Sequence, residues 1–112
     1  DIVFIAGSSW VTRPNAVKRG YDAPADRPRR TLAPYAARAG YADLKAVKSG
    51  EFHAIEHGLA RTLYDFTAQQ YIAKRLYPEA FADVDPMAEL KAYHDKYLPV
   101  AFAGTWAVKL AP

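Results

Sequence analysis

The sequence contains no cysteine. Disulfide bonds, thiolate metal sites and cysteine nucleophiles are therefore excluded, while the compartment stays open because many secreted proteins also lack cysteine. No apolar run approaches the ~18–20 residues of a membrane-spanning helix, and no signal peptide is recognisable. The first residues, DIVFIAG, start directly inside a strand-like run, so we expect the sequence to be a piece of a longer chain.

Charge of one sign is only in small excess, since 15 Lys and Arg stand against 12 Asp and Glu and give a net charge of +3. This excess is too small to indicate a nucleic-acid partner by itself. Seven of the basic residues lie between Arg13 and Arg38, where only Asp22 and Asp26 are acidic. A solvated, proline-rich loop is the interpretation we favour for most of the seven. The alternative is an anion-attracting rim beside a ligand site.

The order of predicted elements is that of an α/β protein. Residues 2–6 (IVFIA) form a continuous apolar run, which is typical of a strand buried in a parallel sheet, and residues 51–56 (EFHAIE) form the next strand. Four prolines predict a long loop over residues 10–34. Helices are predicted over residues 31–39, 41–47, 59–77 and 86–98, and the tail 102–110 is expected to add an edge strand or to cross the helices.

Residues 1–112 are thus predicted to form one partial α/β lobe, a short parallel sheet with flanking helices. Two strands are few for an independent sheet. The missing strands are expected to lie upstream or to come from another copy of the chain, and exposed sheet edges give such a fragment a reason to associate with itself.

Three polar residues, His57, Arg61 and Asp65, recur every fourth position where the predicted helix 59–77 begins. On one helix this spacing stacks them on one face. A surface ion pair between Arg61 and Asp65, with His57 incidental, is the simplest explanation. The functional alternative places Arg61 at the positive end of a helix, where it grips an oxyanion while Asp65 orients it and His57 contacts ligand or metal.

A second cluster, Trp10 and Arg13, follows the first predicted strand. Ligands of open parallel sheets bind at the carboxyl ends of the strands. If the two strands are parallel, Trp10 and Arg13 meet His57 and Arg61 at one edge. An aromatic ring with two guanidinium groups suits a bulky anionic ligand with apolar parts.

Other functions have weaker signals. Ser8 or Ser9 with His57 would make a small serine hydrolase, but the Gly-x-Ser-x-Gly elbow is missing. His53, His57 and His94 lack the spacing of a metal site, and His94 is expected to be a partly buried structural residue. A nucleic-acid module over residues 13–38 would bind in a strongly salt-dependent way, but the prolines and the acids elsewhere argue against it.

Four segments in order, DIVFIA (residues 1–6), YADLKAVKSGEFHAI (41–55), LYPEAF (76–81) and DP (85–86), carry a family resemblance. The chain resembles the carboxyl-terminal end of periplasmic substrate-binding proteins of ABC importers for ferric siderophores, haem and cobalamin. The resemblance implies two α/β lobes joined by a long helix, with the ligand in the cleft between them. It implies a binding protein without catalytic activity or cofactor, which docks on a membrane permease. The export signal, the first lobe and the connecting helix would be missing here.

The resemblance also implies a ligand site. The family's cleft corresponds to residues 8–13 and 57–64 of this sequence. We expect Trp10 to form an aromatic wall, and Arg13 and Arg61 to make anion contacts to siderophore oxygens or a haem propionate. Polar contacts beside them are expected from Ser9, His57 and Tyr64. Asp65 is expected to hold Arg61 in place.

Overall fold

The computed structural model describes residues 1–8, 17 and 19–110. Its elements in chain order are β1 (Val3–Gly7), α1 (Asp26–Ala36), α2 (Lys45–Lys48), β2 (Phe52–Glu56), a 3₁₀ helix (His57–Arg61), α3 (Phe66–Leu76), α4 (Pro86–Tyr97) and β3 (Ala107–Lys109). Within the described ranges, no helix is long and apolar enough to cross a bilayer.

The chain divides into two compact units. Asp1–His57 and Gly104–Pro112 form the first, and Gly58–Ala103 forms the second. The first unit holds a three-stranded sheet in the order β1-β2-β3. β1 pairs with β2 in parallel, and β3 pairs with β2 in antiparallel. The predicted α/β class and the parallel strand pair are confirmed, and the tail does add an edge strand.

The core of the first unit lies between this sheet and the helices. Phe52 and Ala54 of β2 are fully buried, and they cluster with Leu32 and Ala36 of α1 and with Val108 of β3. Strand β2 is the central strand, and four of its five residues are buried.

The prediction of a loop from residue 10 to residue 34 is wrong over residues 26–34, because α1 begins at Asp26. Pro28 lies in the first turn, where the missing N–H has no partner to lose, and Pro34 lies in the last turn. The predicted helix over residues 41–47 is reduced to the single turn Lys45–Lys48.

The second unit packs α3 against α4. Leu90 and His94 of α4 are buried, as are Leu59 and Tyr71. The predicted start of α4 is confirmed, because the Asp85 carboxylate accepts hydrogen bonds from the backbone N–H groups of Met87 and Ala88, each at 3.1 Å.

A carboxylate at the start of β2 joins two strands of the sheet. Glu51 accepts a hydrogen bond from the Lys109 ammonium of β3, and its Oε2 lies 2.9 Å from Nε2 of the buried His53. Hydrogen bonding to Lys109 is the largest cause that lowers the pKa of Glu51, and His53 adds to it, although partial burial acts in the opposite direction.

Acid is expected to weaken the first unit through this carboxylate. Because the pKa of Glu51 is lowered on folding, its contribution is fully present above the ordinary pKa of 4.5 and is lost as the pH falls through the lowered pKa. Glu51→Gln should cost about 1–2 kcal/mol at neutral pH and flatten the loss of stability in acid. Urea denaturation between neutral pH and pH 3 measures both, with exposed Glu79→Gln as control; an unchanged acid slope in Glu51→Gln would contradict the assignment.

Candidate functional site

The carboxyl ends of β1 and β2 lie side by side. Gly7, the last residue of β1, is the register partner of Glu56, the last residue of β2. Ser8 and His57 therefore leave the sheet at the same edge, as expected for the ligand side of a parallel sheet. The parallel pairing on which the predicted convergence depends is present, while the meeting of Trp10 and Arg13 with His57 and Arg61 stays a prediction.

Glu56 ties these two strand ends together. Its side chain is 6% exposed, and its Oε1 accepts a hydrogen bond of 2.6 Å from the Ser8 hydroxyl. Gly20 lies beside it, since a Cβ on Gly20 would be 3.8 Å from Cγ of Glu56. Arg19, the residue before Gly20, is fully buried. The sequence did not lead us to predict that Glu56 and Arg19 are buried. The available signal was an acidic residue at the carboxyl end of the predicted strand 51–56.

Gly7 is required where β1 ends. A Cβ at this position would lie 2.3 Å from the backbone oxygen of Val17, which passes directly over the strand end. Any side chain would push this backbone away. The chain that leaves β1 at Ser8 therefore returns at Val17 against the same strand.

His57 and Arg61 begin and end the 3₁₀ helix, and both side chains are exposed. Leu59 between them is 1% exposed and anchors this turn. A 3₁₀ helix has three residues per turn, so positions four apart do not share a face. The stacking of His57, Arg61 and Asp65 on one continuous helix is wrong, because α3 begins only at Phe66.

Tyr64 is half-buried on the second unit and is held by rings of α4. Its ring centroid lies 5.7 Å from that of Tyr93 and 5.5 Å from that of His94. The ring centroid of His94 in turn lies 5.3 Å from that of Phe102. These tilted and edge-on contacts are the favourable geometries of aromatic pairs, and they hold the Tyr64 ring against α4.

Asp65 occupies the N-cap position of α3 without capping it through its side chain. Its Oδ2 lies 3.5 Å from Nε2 of Gln69. Across residues 57–69, all of which the structure describes, no ion pair joins Arg61 to Asp65. Support of Arg61 by Asp65 stays a prediction.

The other predicted contacts, Ser9, Trp10 and Arg13, lie outside the described residues. The three histidines are accounted for separately: His53 and His94 are buried at 0% and 1% exposure, and His57 is exposed. Within the described part of the chain, no group of three potential metal ligands comes together. His94 was expected to be partly buried and is instead almost completely buried.

Segment 57–64 carries an exposed imidazole on His57, an exposed guanidinium on Arg61 and the phenol of Tyr64, whose ring packs against α4. Such groups donate hydrogen bonds and positive charge, which suits a ligand rich in oxygen acceptors. The only described serine hydroxyl near the strand ends, that of Ser8, is donated to a carboxylate.

The fold of this chain is similar to one part of a periplasmic binding protein. One solved structure that it matches is the TroA-like periplasmic binding protein FepB from Veillonella parvula, with a TM-score of 0.95 and 38% sequence identity over 99% of this chain. The chain spans about a third of that protein's length, 32%. No protein-family model and no curated protein matches the chain. The resemblance found in the sequence is confirmed.

Proposed function

We propose that this chain is the carboxyl-terminal lobe portion of a non-catalytic solute-binding protein, which captures a chelated iron compound in the periplasm for import by an ABC permease of the inner membrane. The observation that carries the proposal is the match over 99% of the chain, at 38% identity, to a periplasmic binding protein. Ferric siderophore or haem is the proposed ligand class, and a cobalamin-like ligand belongs to the same chemical range.

The proposed contacts follow the strand ends. Arg61 donates paired hydrogen bonds to chelating oxygens or to a propionate. His57 and Tyr64 add polar contacts, and Asp65 orients Arg61 once the ligand is bound. From the segment after β1, Ser9 would add a polar contact, Trp10 an aromatic wall and Arg13 a second cation.

Exposure supports these roles for His57 and Arg61, because both side chains face solvent at the end of a buried strand. The seat of Tyr64 on α4 supports a preorganised contact, which reduces the entropy that binding costs. The amino-terminal lobe of the family would complete the cleft.

A serine hydrolase is the competing proposal. A nucleophilic serine needs a base that removes its proton near neutral pH. The Ser8 hydroxyl donates a hydrogen bond to the Glu56 carboxylate. Carboxylates are ordinarily too weak as bases to remove the proton of a serine hydroxyl. We expect no covalent adduct with a serine-directed phosphonate in an intact mass spectrum; a stoichiometric adduct on Ser8 or Ser9 would favour the hydrolase.

Arg61→Ala is expected to weaken chelate binding by tenfold or more, the scale of hydrogen bonds to a charged partner. Ferric siderophores, haem and cobalamin are titrated into the chain and into its full-length parent, with quenching of tryptophan fluorescence as the readout. The buried Trp106 reports on the fold in the same experiment.

Arg38→Ala is the matched control, because Arg38 is also an exposed arginine, stacked at 4.0 Å on Tyr35. It should bind as the unmodified protein does. Equal affinity in Arg61→Ala would refute the site. No saturable binding by the full-length parent to any member of the panel would refute the ligand class.

A further inference from the structure

Glu56 is an unusual last residue for a buried strand. Its side chain is 6% exposed, in a strand of which four of the five residues are buried. A buried carboxylate loses its hydration, and this loss is compensated only when hydrogen bonds or opposite charges replace the water. Apolar residues of similar volume often give equal or greater stability in such places. Stability alone therefore does not explain an acid at this position.

The Glu56 side chain supplies a directed contact to the neighbouring strand end. Its Oε1 accepts the hydrogen bond of the Ser8 hydroxyl at 2.6 Å, a length typical of a hydroxyl that donates to a carboxylate. Gly7, the residue before Ser8, is the register partner of Glu56 in the parallel sheet. The hydrogen bond thus extends the pairing of the two strands beyond their last backbone partners, and it fixes the point at which the chain leaves β1.

The backbone that carries this carboxylate is itself held in place. The N–H of Glu56 donates a hydrogen bond of 2.7 Å to the carbonyl oxygen of Trp106. Thr105, beside Trp106, exchanges backbone hydrogen bonds of 2.8 and 3.1 Å with Gly20. The backbone of Glu56 is therefore fixed from two sides, by β1 and by the segment that leads into β3.

We propose that Glu56 is a positioning residue of the ligand site, which holds the end of β1, through Ser8, beside His57 at the end of β2. The inference rests on the proposed function, in which ligand contacts follow both strand ends. Glu56 acts through Ser8 and needs no contact with the ligand, which agrees with its burial. A site whose parts are ordered before binding loses less entropy when the ligand binds.

The first measurement uses no ligand. Amide hydrogen exchange is followed by mass spectrometry, in the full-length parent, on peptides that contain Gly7 and Ser8. Ser8→Ala and Glu56→Ala should each speed exchange there by about fivefold, the scale of one hydrogen bond. The double variant should add nothing further, because both changes remove the same bond. Ser8→Thr keeps the hydroxyl and should restore slow exchange.

Ser49→Ala is the matched control for the exchange measurement. The Ser49 hydroxyl also donates within the first unit, to the carbonyl oxygen of Ala46 at 3.4 Å, but it lies away from the two strand ends. Its loss should leave exchange at Ser8 unchanged. Should Glu56→Ala fail to fold, Ser8→Ala decides alone, because it replaces only a half-buried side chain.

The second measurement titrates ferric siderophores, haem and cobalamin into the same variants of the full-length parent. Ser8→Ala should weaken binding by about fivefold, the scale of ordering one further side chain on binding, and Ser8→Thr should bind as the unmodified protein does. Glu51→Gln is the control for stability, because it removes carboxylate contacts at the opposite end of β2. It should lower the denaturation midpoint and leave the affinity unchanged.

The outcomes separate a positioning role from a structural one. Unchanged exchange at Ser8 in Ser8→Ala would overturn the proposal, and so would faster exchange without loss of affinity. Equal loss of affinity in Glu51→Gln would show that the stability of the first unit governs binding, and would overturn it too. If the unmodified parent binds no member of the panel, the proposed function fails, whereas the exchange measurement still decides whether Glu56 holds the strand end.

Discussion

Gly104→Ala is expected to destabilise the first unit by about 3 kcal/mol or more. Gly104 has φ +81°, and a Cβ there would lie 2.0 Å from the backbone oxygen of Gly20 and 2.6 Å from that of Tyr21. Both atoms are backbone, so no side-chain rotation relieves the overlap. The neighbouring bridge, in which Gly20 and Thr105 exchange hydrogen bonds of 2.8 and 3.1 Å, has to open.

Gly40→Ala provides the control for this prediction. Gly40 has nearly the same backbone angle, φ +82°, but a Cβ added there would meet nothing within 4 Å. Only the left-handed backbone strain of about 1 kcal/mol remains, and the smaller entropy of the unfolded chain offsets part of it. Urea denaturation followed by circular dichroism compares the two variants. Equal destabilisation would show that backbone angle, and not close approach, is what Gly104 supplies.

His94→Ala is expected to cost about 2–4 kcal/mol in the second unit, the scale of a cavity left by a buried ring. The His94 side chain is 1% exposed, and its Nδ1 lies 2.8 Å from the carbonyl oxygen of Leu90. A carbonyl only accepts, so Nδ1 carries the proton of this hydrogen bond. The ring also contacts both Tyr64 and Phe102, so its removal takes one packing partner away from Tyr64.

Tyr97→Ala is the comparison for His94→Ala. Tyr97 belongs to the same group of rings, 5.1 Å from Tyr93, but it is 61% exposed. Its removal should change stability by less than about 0.5 kcal/mol. Denaturation midpoints measure both variants, and the chelate titration adds the effect on the seat of Tyr64. If the two variants lose equal stability, burial of His94 is not what matters.

Much of the fold follows from short patterns in the sequence. The apolar run IVFIA predicted β1 correctly, but the burial on both faces that it indicated is wrong, because β1 is an edge strand whose residues Val3–Ala6 are half-buried or exposed. Asp85-Pro86 predicted the start of α4 because its cap is local: one carboxylate reaches two backbone N–H groups within three residues.

The errors have a different origin. The predicted helix 31–39 began five residues too late, because Pro24, Pro28 and Pro34 suggest a loop, whereas burial of Leu32 and Ala36 against the sheet outweighs that preference. The predicted helix 59–77 was too long because Leu59 and Phe66 keep the apolar spacing of a helix through a 3₁₀ segment and a turn. Tertiary packing, and not periodicity, decides such boundaries.

For the candidate site, the sequence predicted the edge of the sheet where it lies, but not the contacts that hold its residues in place. His57 follows β2 at the edge where β1 also ends, as the chain order implied. The hydrogen bond between Ser8 and Glu56 joins residues 48 positions apart, and the seat of Tyr64 comes from α4, about thirty positions later in the chain. No local pattern contains contacts of this range.

Because β3 pairs with β2 in antiparallel, the second unit is a segment inserted between two neighbouring strands of the first unit. Segment Gly58–Ala103 leaves the first unit directly after β2, and the chain re-enters it just before Trp106, whose carbonyl oxygen accepts a hydrogen bond of 2.7 Å from the N–H of Glu56. The two junctions are thus neighbours in space. An exchange of this segment between homologous proteins would leave the threading of the sheet intact, so recombination can alter Arg61 and Tyr64 together without rebuilding the strands.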